Sequence, residues 1–180
     1  KKLIILTGPS GGGKGTIVKE ILRKDKKIWL SVSATTREPR GGEKEGENYY
    51  FLNQEKFKEM IAQNLFLEWA KFAGNYYGTP LSSVYEKIEE GFIVLLEIEV
   101  EGAKQIKEKF PESLSIFLLP PNKEELERRI RNRGTDKEES IKKRLLRANY
   151  EIQASVEFDF SVINYDISKT VKTISKIIKS

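Results

Sequence analysis

Apolar positions along the chain follow two spacings. Residues 3–6 form a short continuous apolar run with no polar alternation, the pattern of a strand covered on both faces in a parallel sheet. The runs IWLSVSATT (28–36), EGENYYFLN (45–53), GFIVLLEIEVEG (91–102), SLSIFLLPP (113–121) and EFDFSVIN (157–164) also predict strands, that at 91–102 the strongest. Helical spacing appears at Ile17, Val18, Ile21 and Leu22, so the first unit reads strand, glycine-rich loop, helix over 16–24. A short helix is predicted over 54–63. Another is capped by Asn122 with Glu125 three residues on, and ends at Gly134. TPLSSVYEKIEEG supplies Thr79 as a cap, Pro80 at the first helical position and Gly91 as a stop. Strands alternating with helices indicate an α/β fold with a mainly parallel sheet.

Between residues 35 and 90 the pattern changes to short aromatic stretches, brief helices and scattered glycines, which reads as an inserted subdomain that closes over something. The 180 residues suffice for one domain with a sizeable core. No run of 18 apolar residues exists, and the N-terminal apolar stretch is too short for a signal peptide, so no membrane association is expected and a cytoplasmic location is. With no cysteine and no histidine, thiolate and imidazole chemistry are excluded; lysine, arginine, carboxylates, hydroxyls and backbone amides remain. The net charge of +5 suits either nucleic acid or a phosphorylated small molecule, so its placement matters more than its sum.

Five stretches carry candidate chemistry. In GPSGGGKGT, Gly8, Gly11, Gly12 and Gly13 let backbone N–H groups converge on a polyphosphate at a helix N-terminus, and Lys14 adds a mobile charge for its outer phosphates. The phosphate-loop pattern G-x-x-x-x-G-K-[ST] is met except that Gly15 stands where the hydroxyl belongs, and Thr16 supplies one a residue late. Arg37 and Arg40 could fork a second phosphate. In FLEWAKFAGNYYGTP, Glu68 could accept two donors from a purine edge and Tyr77 could bond a phosphate, although an aromatic cluster of this kind also fits plain packing. Glu97 and Glu99, two apart in the strand predicted over 91–102, share a face, with Glu101 at its end; acids buried there call for a cation or donors. Arg128, Arg129, Arg131, Arg133 and Arg144 suit transition-state charge neutralisation, a solvated face or RNA contacts.

Together the blocks GPSGGGKGT, SVSATTREPRGGEKEGENYYF, FLEWAKFAGNYYGTP, LLEIEVEGAKQIK, IFLLPPNKEELERRIRNRGT and VIN resemble the guanylate kinase family in order and approximate spacing, across nearly the whole chain. The resemblance implies a three-layer P-loop core (1–32, 91–132, 145–180), an inserted mixed α+β GMP-binding subdomain (33–90) and a small helical lid (133–144). It places ATP on Gly8, Pro9, Ser10, Gly11, Gly12, Gly13, Lys14, Gly15 and Thr16, with Asn164 near the adenine. The GMP phosphate falls to Arg37, Arg40, Tyr49 and Tyr77, the guanine edge to Ser33, Glu68 and Thr79, and a further GMP contact to Glu97. Lys14, Arg37, Arg129, Arg133 and Arg144 form the set that stabilises transfer.

The expected reaction is reversible, direct in-line transfer of the ATP γ-phosphoryl to GMP in purine nucleotide metabolism, with Mg²⁺ entering on the nucleotide. No direct protein ligand to the metal is expected; Thr16, Glu97 and Glu99 are candidates to reach it through water. Many family members read Asp, Asp, Gln where this chain has Glu97, Glu99 and Glu101, which leaves open which acid meets metal-bound water or GMP. ATP and GMP are the expected partners, with dGMP and the choice of monomer or homodimer left open and no nucleic acid expected. Two alternatives are a phosphopeptide-binding module that has lost ATP binding and an RNA binder using residues 128–144.

Overall fold

The computed structural model describes residues 2–132, 134 and 137–180. In chain order the elements are β1 (Leu3–Thr7), α1 (Lys14–Lys24), β2 (Ile28–Leu30), β3 (Ser33–Thr35), β4 (Tyr49–Phe51), α2 (Gln54–Ala62), β5 (Phe66–Phe72), β6 (Asn75–Pro80) and α3 (Leu81–Glu89). They continue as β7 (Ile93–Glu97), α4 (Val100–Lys109), β8 (Leu114–Leu119), α5 (Lys123–Arg131), α6 (Glu138–Gln153), a 3₁₀ turn, β9 (Phe160–Ile163) and α7 (Ile167–Lys179).

Five strands form a parallel sheet in the order β2-β7-β1-β8-β9. Successive β1 side chains point to opposite faces. Ile4 and Leu6 join the core under α1 and α7, whereas Leu3 and Ile5 join the core containing Val84 of α3 and Ala103 and Ile106 of α4. Burial on both faces explains the continuous apolar strands and the three layers. The chain reverses its strand order at β1, so the loop after β1 opens between the carboxyl ends of β7 and β8, where α/β sheets bind ligands.

A second sheet, β4-β3-β6-β5, has α2 packed on one face through Phe57, which is buried against Phe66 and Tyr76. It occupies most of the range expected for the inserted subdomain. Within that same range, α3 packs on the main sheet. Residues 138–144 of the expected lid are the opening turns of α6, which packs on α5 through Leu126, Ile130, Ile141 and Ala148.

Three expectations need correction. The run 28–36 is two strands, because after Ser31 donates its N–H to Leu95 O the chain leaves the main sheet, and Ala34 is buried in the second. The run 91–102 is a strand only to Glu97; Glu99 occupies the N-cap position of α4 without a side-chain capping bond, and Glu101 sits in its first turn. The alternation in EIEVEG imitates a strand, but Val100, Ala103 and Ile106 are buried at helical spacing, and acids suit the positive end of a helix. Thr79 and Pro80 end β6 rather than open a helix: Pro80 precedes α3 without a side-chain cap, and the Thr79 hydroxyl donates to Glu68 instead. The cap at Asn122 forms as read, its Oδ1 accepting the Glu125 N–H at 2.7 Å.

Candidate functional site

The glycine-rich turn joins β1 to α1. Gly13 precedes the helix at φ +83° and contributes no side-chain cap, so the N–H groups at the start of α1 have no intrahelical acceptor and face the loop mouth. A β-carbon on Gly13 would lie 2.7 Å from Asn164 Nδ2, so glycine is required there on two counts. Lys14 Nζ donates to Gly8 O at 3.0 Å, folding the lysine over the loop. Ser10, Gly15 and Thr16 are exposed, while Gly8, Pro9 and Gly12 are buried.

Asn164, expected beside the adenine, lies behind the loop. It is 4% exposed; its Nδ2 donates to Gly12 O at 3.0 Å, and its Oδ1 accepts from the Thr170 hydroxyl at 3.1 Å. In this arrangement it braces the loop from the α7 side.

Arginines converge on the same loop from α5 and α6. Arg129 lies near Gly11 O at 3.4 Å while its Nε donates to Glu125 at 3.0 Å, and Arg144 Nη2 donates to Ser10 Oγ at 3.2 Å. Arg133 lies outside the described residues. Arg128 and Arg131 are held by acids: Arg128 by Glu125, Arg131 by Glu127 at 2.9 Å and Glu138 at 2.8 Å. Glu125 is held at about 2 chiefly by the Arg128 hydrogen bond, with Arg129 adding to it.

The second sheet brings most of the other candidates onto one face. Its register aligns Ser33 with Tyr49 and Glu68 with Thr79, and extending the Ala34–Gly78 pairing sets Ser33 beside Thr79. One row across the sheet therefore reads Tyr49, Ser33, Thr79, Glu68. A β-bulge between Phe66 and Glu68 makes this possible. Phe66 packs with Phe57 in the core under α2, and the extra residue turns Glu68 toward the opposite face. The tyrosine pair divides likewise: Tyr76 packs on Phe57, whereas Tyr77 meets Tyr49 edge-on at 6.3 Å between ring centroids.

Glu68 is 7% exposed, and its Oε1 accepts from the Thr79 hydroxyl at 2.8 Å. Burial pushes its pKa above the ordinary carboxyl range, opposed by that hydrogen bond and by Lys109. Arg37 stacks over the Tyr49 ring at 5.2 Å and forms a bidentate pair with Glu43 at 2.9 and 3.0 Å. Glu43 also accepts the Arg40 N–H at 2.7 Å; Arg37, with that bond, holds it at about 2. The sequence offered no spacing rule that singles out Glu43 from the other acids of this charged loop.

The acids after β7 separate. Glu97 ends the strand and Glu99 immediately precedes α4, both exposed at the carboxyl end of the sheet. Glu101 is paired with Arg147 at 2.7 Å. Glu151 of α6 is an acid that sequence reasoning missed, although its helical spacing from Ile141 and Ala148 marks the buried stripe. It is 3% exposed, and its Oε2 has no hydrogen-bond partner among the described residues. Burial and then the charge of Glu99 push it up to about 7, against Arg147 and Lys14.

An unfolded glutamate titrates near 4.5, so the native state holds the extra proton between about pH 4.5 and 7, and stability falls as pH rises through that window. Urea unfolding at pH 5 and pH 8 should show the native chain losing about 2 kcal/mol more than Glu151→Gln between these pH values. Equal pH dependence in the two proteins would contradict this assignment.

Comparison with known proteins identifies the family. A family model described as guanylate kinase matches residues 1–180. A guanylate kinase of Prochlorococcus marinus (strain MIT 9312) is 79% identical over 180 residues, covering 100% of this chain and 98% of the relative. One of Nostoc sp. (strain PCC 7120 / SAG 25.82 / UTEX 2576) is 57% identical over 173 residues, 96% of this chain and 87% of that relative. The crystal structure of guanylate kinase from Anaplasma phagocytophilum superposes with a TM-score of 0.78 at 34% identity, covering 98% of this chain and 84% of that one. A shikimate kinase structure from Bacteroides thetaiotaomicron, at a TM-score of 0.54 and 15% identity over 98% of each chain, shares the fold alone. By sequence across its full length and by three-dimensional similarity, the chain belongs to the guanylate kinase family.

Proposed function

We propose that the glycine loop holds the ATP phosphates, that the Glu68 face of the second sheet holds GMP, and that the γ-phosphoryl passes between them in line to give ADP and GDP. The observation that carries this reading is the row Tyr49, Ser33, Thr79, Glu68 with Arg37 stacked beside it: a buried carboxylate and hydroxyls at one end, a cation and phenols at the other. Guanine presents N1–H and its 2-amino group as adjacent donors that a carboxylate accepts together, and adenine has no such pair. Arg37, Arg40, Tyr49 and Tyr77 would then receive the GMP phosphate, with Arg37 leaving or sharing its partner Glu43.

Chemistry needs no histidine, because the acceptor is already a phosphate oxygen and phosphoryl transfer depends mainly on positioning and charge stabilisation. Lys14, Arg129 and Arg144 surround the loop and would share that charge; Arg133 is assigned to the same set from the resemblance. A cytoplasmic role in GMP recycling fits this activity. Among the described residues, no helix is long and apolar enough to cross a membrane. The test is a coupled assay of the purified chain: ADP should form only when both ATP and GMP are present, and no GMP-dependent ADP would end the proposal.

The donors beside the loop fit magnesium carried in on ATP. Gly15 offers no hydroxyl, while the exposed Thr16, Glu97 and Glu99 can reach a hydrated ion, which keeps most of its waters. Bound there, the ion would neutralise charge across the phosphate oxygens. A β-carbon at position 15 meets nothing within 4 Å, so serine fits. Gly15→Ser is expected to leave magnesium-free ATP affinity unchanged and tighten magnesium-ATP several-fold by calorimetry, at roughly the strength of one added hydrogen bond. Unchanged magnesium dependence would mean that the loop position is not what sets the metal's ligands.

A further inference from the structure

Gly102 lies in the first turn of α4, where alanine would ordinarily favour the helix. It is not among the positive-φ glycines, so backbone conformation does not demand it. A β-carbon built on it would stand 2.8 Å from Glu68 Oε2, 3.1 Å from Cδ and 3.4 Å from Cγ, and these are its three nearest neighbours. The atoms nearest to a methyl there all belong to the Glu68 side chain.

The surrounding contacts hold Glu68 in that volume. Its Oε1 is fixed by Thr79 at 2.8 Å. The strand carrying it is clamped to α4 on either side: Gln105 accepts the Trp69 N–H at 3.1 Å and donates to Trp69 O at 2.9 Å, and Lys109 donates to Leu67 O at 3.2 Å. β5 therefore cannot move away from the helix to admit a larger residue without breaking these bonds. The carboxylate itself would have to shift, Oε2 and Cδ together, while Cγ at 3.4 Å is already at ordinary contact distance.

We propose that Gly102 is a positioning residue that determines guanine specificity, by leaving the space in which α4 holds the Glu68 carboxylate against Thr79. This rests on Glu68 being the group that accepts guanine. Misplacing a recognition group by a fraction of an ångström to an ångström is costly because its hydrogen bonds are directional.

The experiment is a double-mutant cycle of Gly102→Ala with Glu68→Ala, following KM for GMP, Kd for ATP and Tm. In the native background Gly102→Ala should raise KM for GMP by about tenfold or more, change kcat less, leave ATP affinity unaltered and give no rise in Tm. In the Glu68→Ala background, where the obstructing carboxylate is gone, the same change should leave KM for GMP unaltered and raise Tm, as alanine does in a helix. An unchanged KM for GMP in Gly102→Ala, or an equal loss in both backgrounds, overturns the proposal. If Glu68→Ala alone leaves KM for GMP unchanged, the guanine-recognition reading itself fails, so the two failures are distinguishable.

Discussion

Lys14→Met should lower kcat by about 10³-fold while the chain stays folded. Methionine keeps the apolar stem along the loop and removes only the mobile charge that now rests on Gly8 O at 3.0 Å. The loop amides at the start of α1 and the bracing of Gly12 O by Asn164 do not depend on that ammonium. ATP should therefore still bind, more weakly, while the developing charge on the transferred group loses its nearest mobile cation. Steady-state kinetics with calorimetric ATP binding and a thermal melt separate these effects. A kcat within about tenfold of the native value would show that Arg129 and Arg144 carry the charge without it.

Glu68→Gln should cost about 2–4 kcal/mol in kcat/KM for GMP, roughly 30- to 1,000-fold, with ATP affinity unchanged. The native carboxylate has two acceptor oxygens; Oε1 takes the Thr79 hydroxyl, and the pair faces the adjacent donors of guanine. An amide keeps only one acceptor oxygen, so whichever way it turns, one of the two adjacent guanine donors meets an N–H group in place of an acceptor, while the Thr79 hydroxyl can rotate to accept or donate. Burial already raises the Glu68 pKa, so the native enzyme should lose GMP affinity as pH falls through that raised value, and the glutamine variant should lack this dependence. The variant should melt no lower than the native chain, because it removes a charge that is unfavourable to bury. Unaltered GMP kinetics would show that Glu68 does not read guanine.

How far the site was legible depended on whether the signal was local. The Gly8–Lys14 turn between an apolar strand and a helix was readable because its geometry involves only neighbouring residues, and the Asn122 cap was readable for the same reason. EIEVEG was misread because alternation serves equally as a strand face and as a strand end followed by an acidic helix start. Glu43 escaped notice because its partner Arg37 is set by folding rather than by spacing, and Glu151 because its burial and its approach to Glu99 arise only when α6 packs, although Arg147 one helical turn earlier was within reach of a spacing rule. Thr79 was read as a helix cap on its local pattern, and its hydroxyl took a buried partner eleven residues earlier instead.

By itself the sequence determined the parallel α/β core, the phosphate loop and the family to which the chain belongs, since apolar periodicity and short-range loop geometry are properties of neighbouring residues. Only the tertiary structure decided which face each side chain of the second sheet presents. The bulge before Glu68 reverses the alternation of β5, sending Phe66 to the core and Glu68 to the opposite face, and the packing of α4 against that strand leaves the carboxylate the space above Gly102. Both depend on register and helix placement, which are fixed when distant segments meet and bury their apolar faces together.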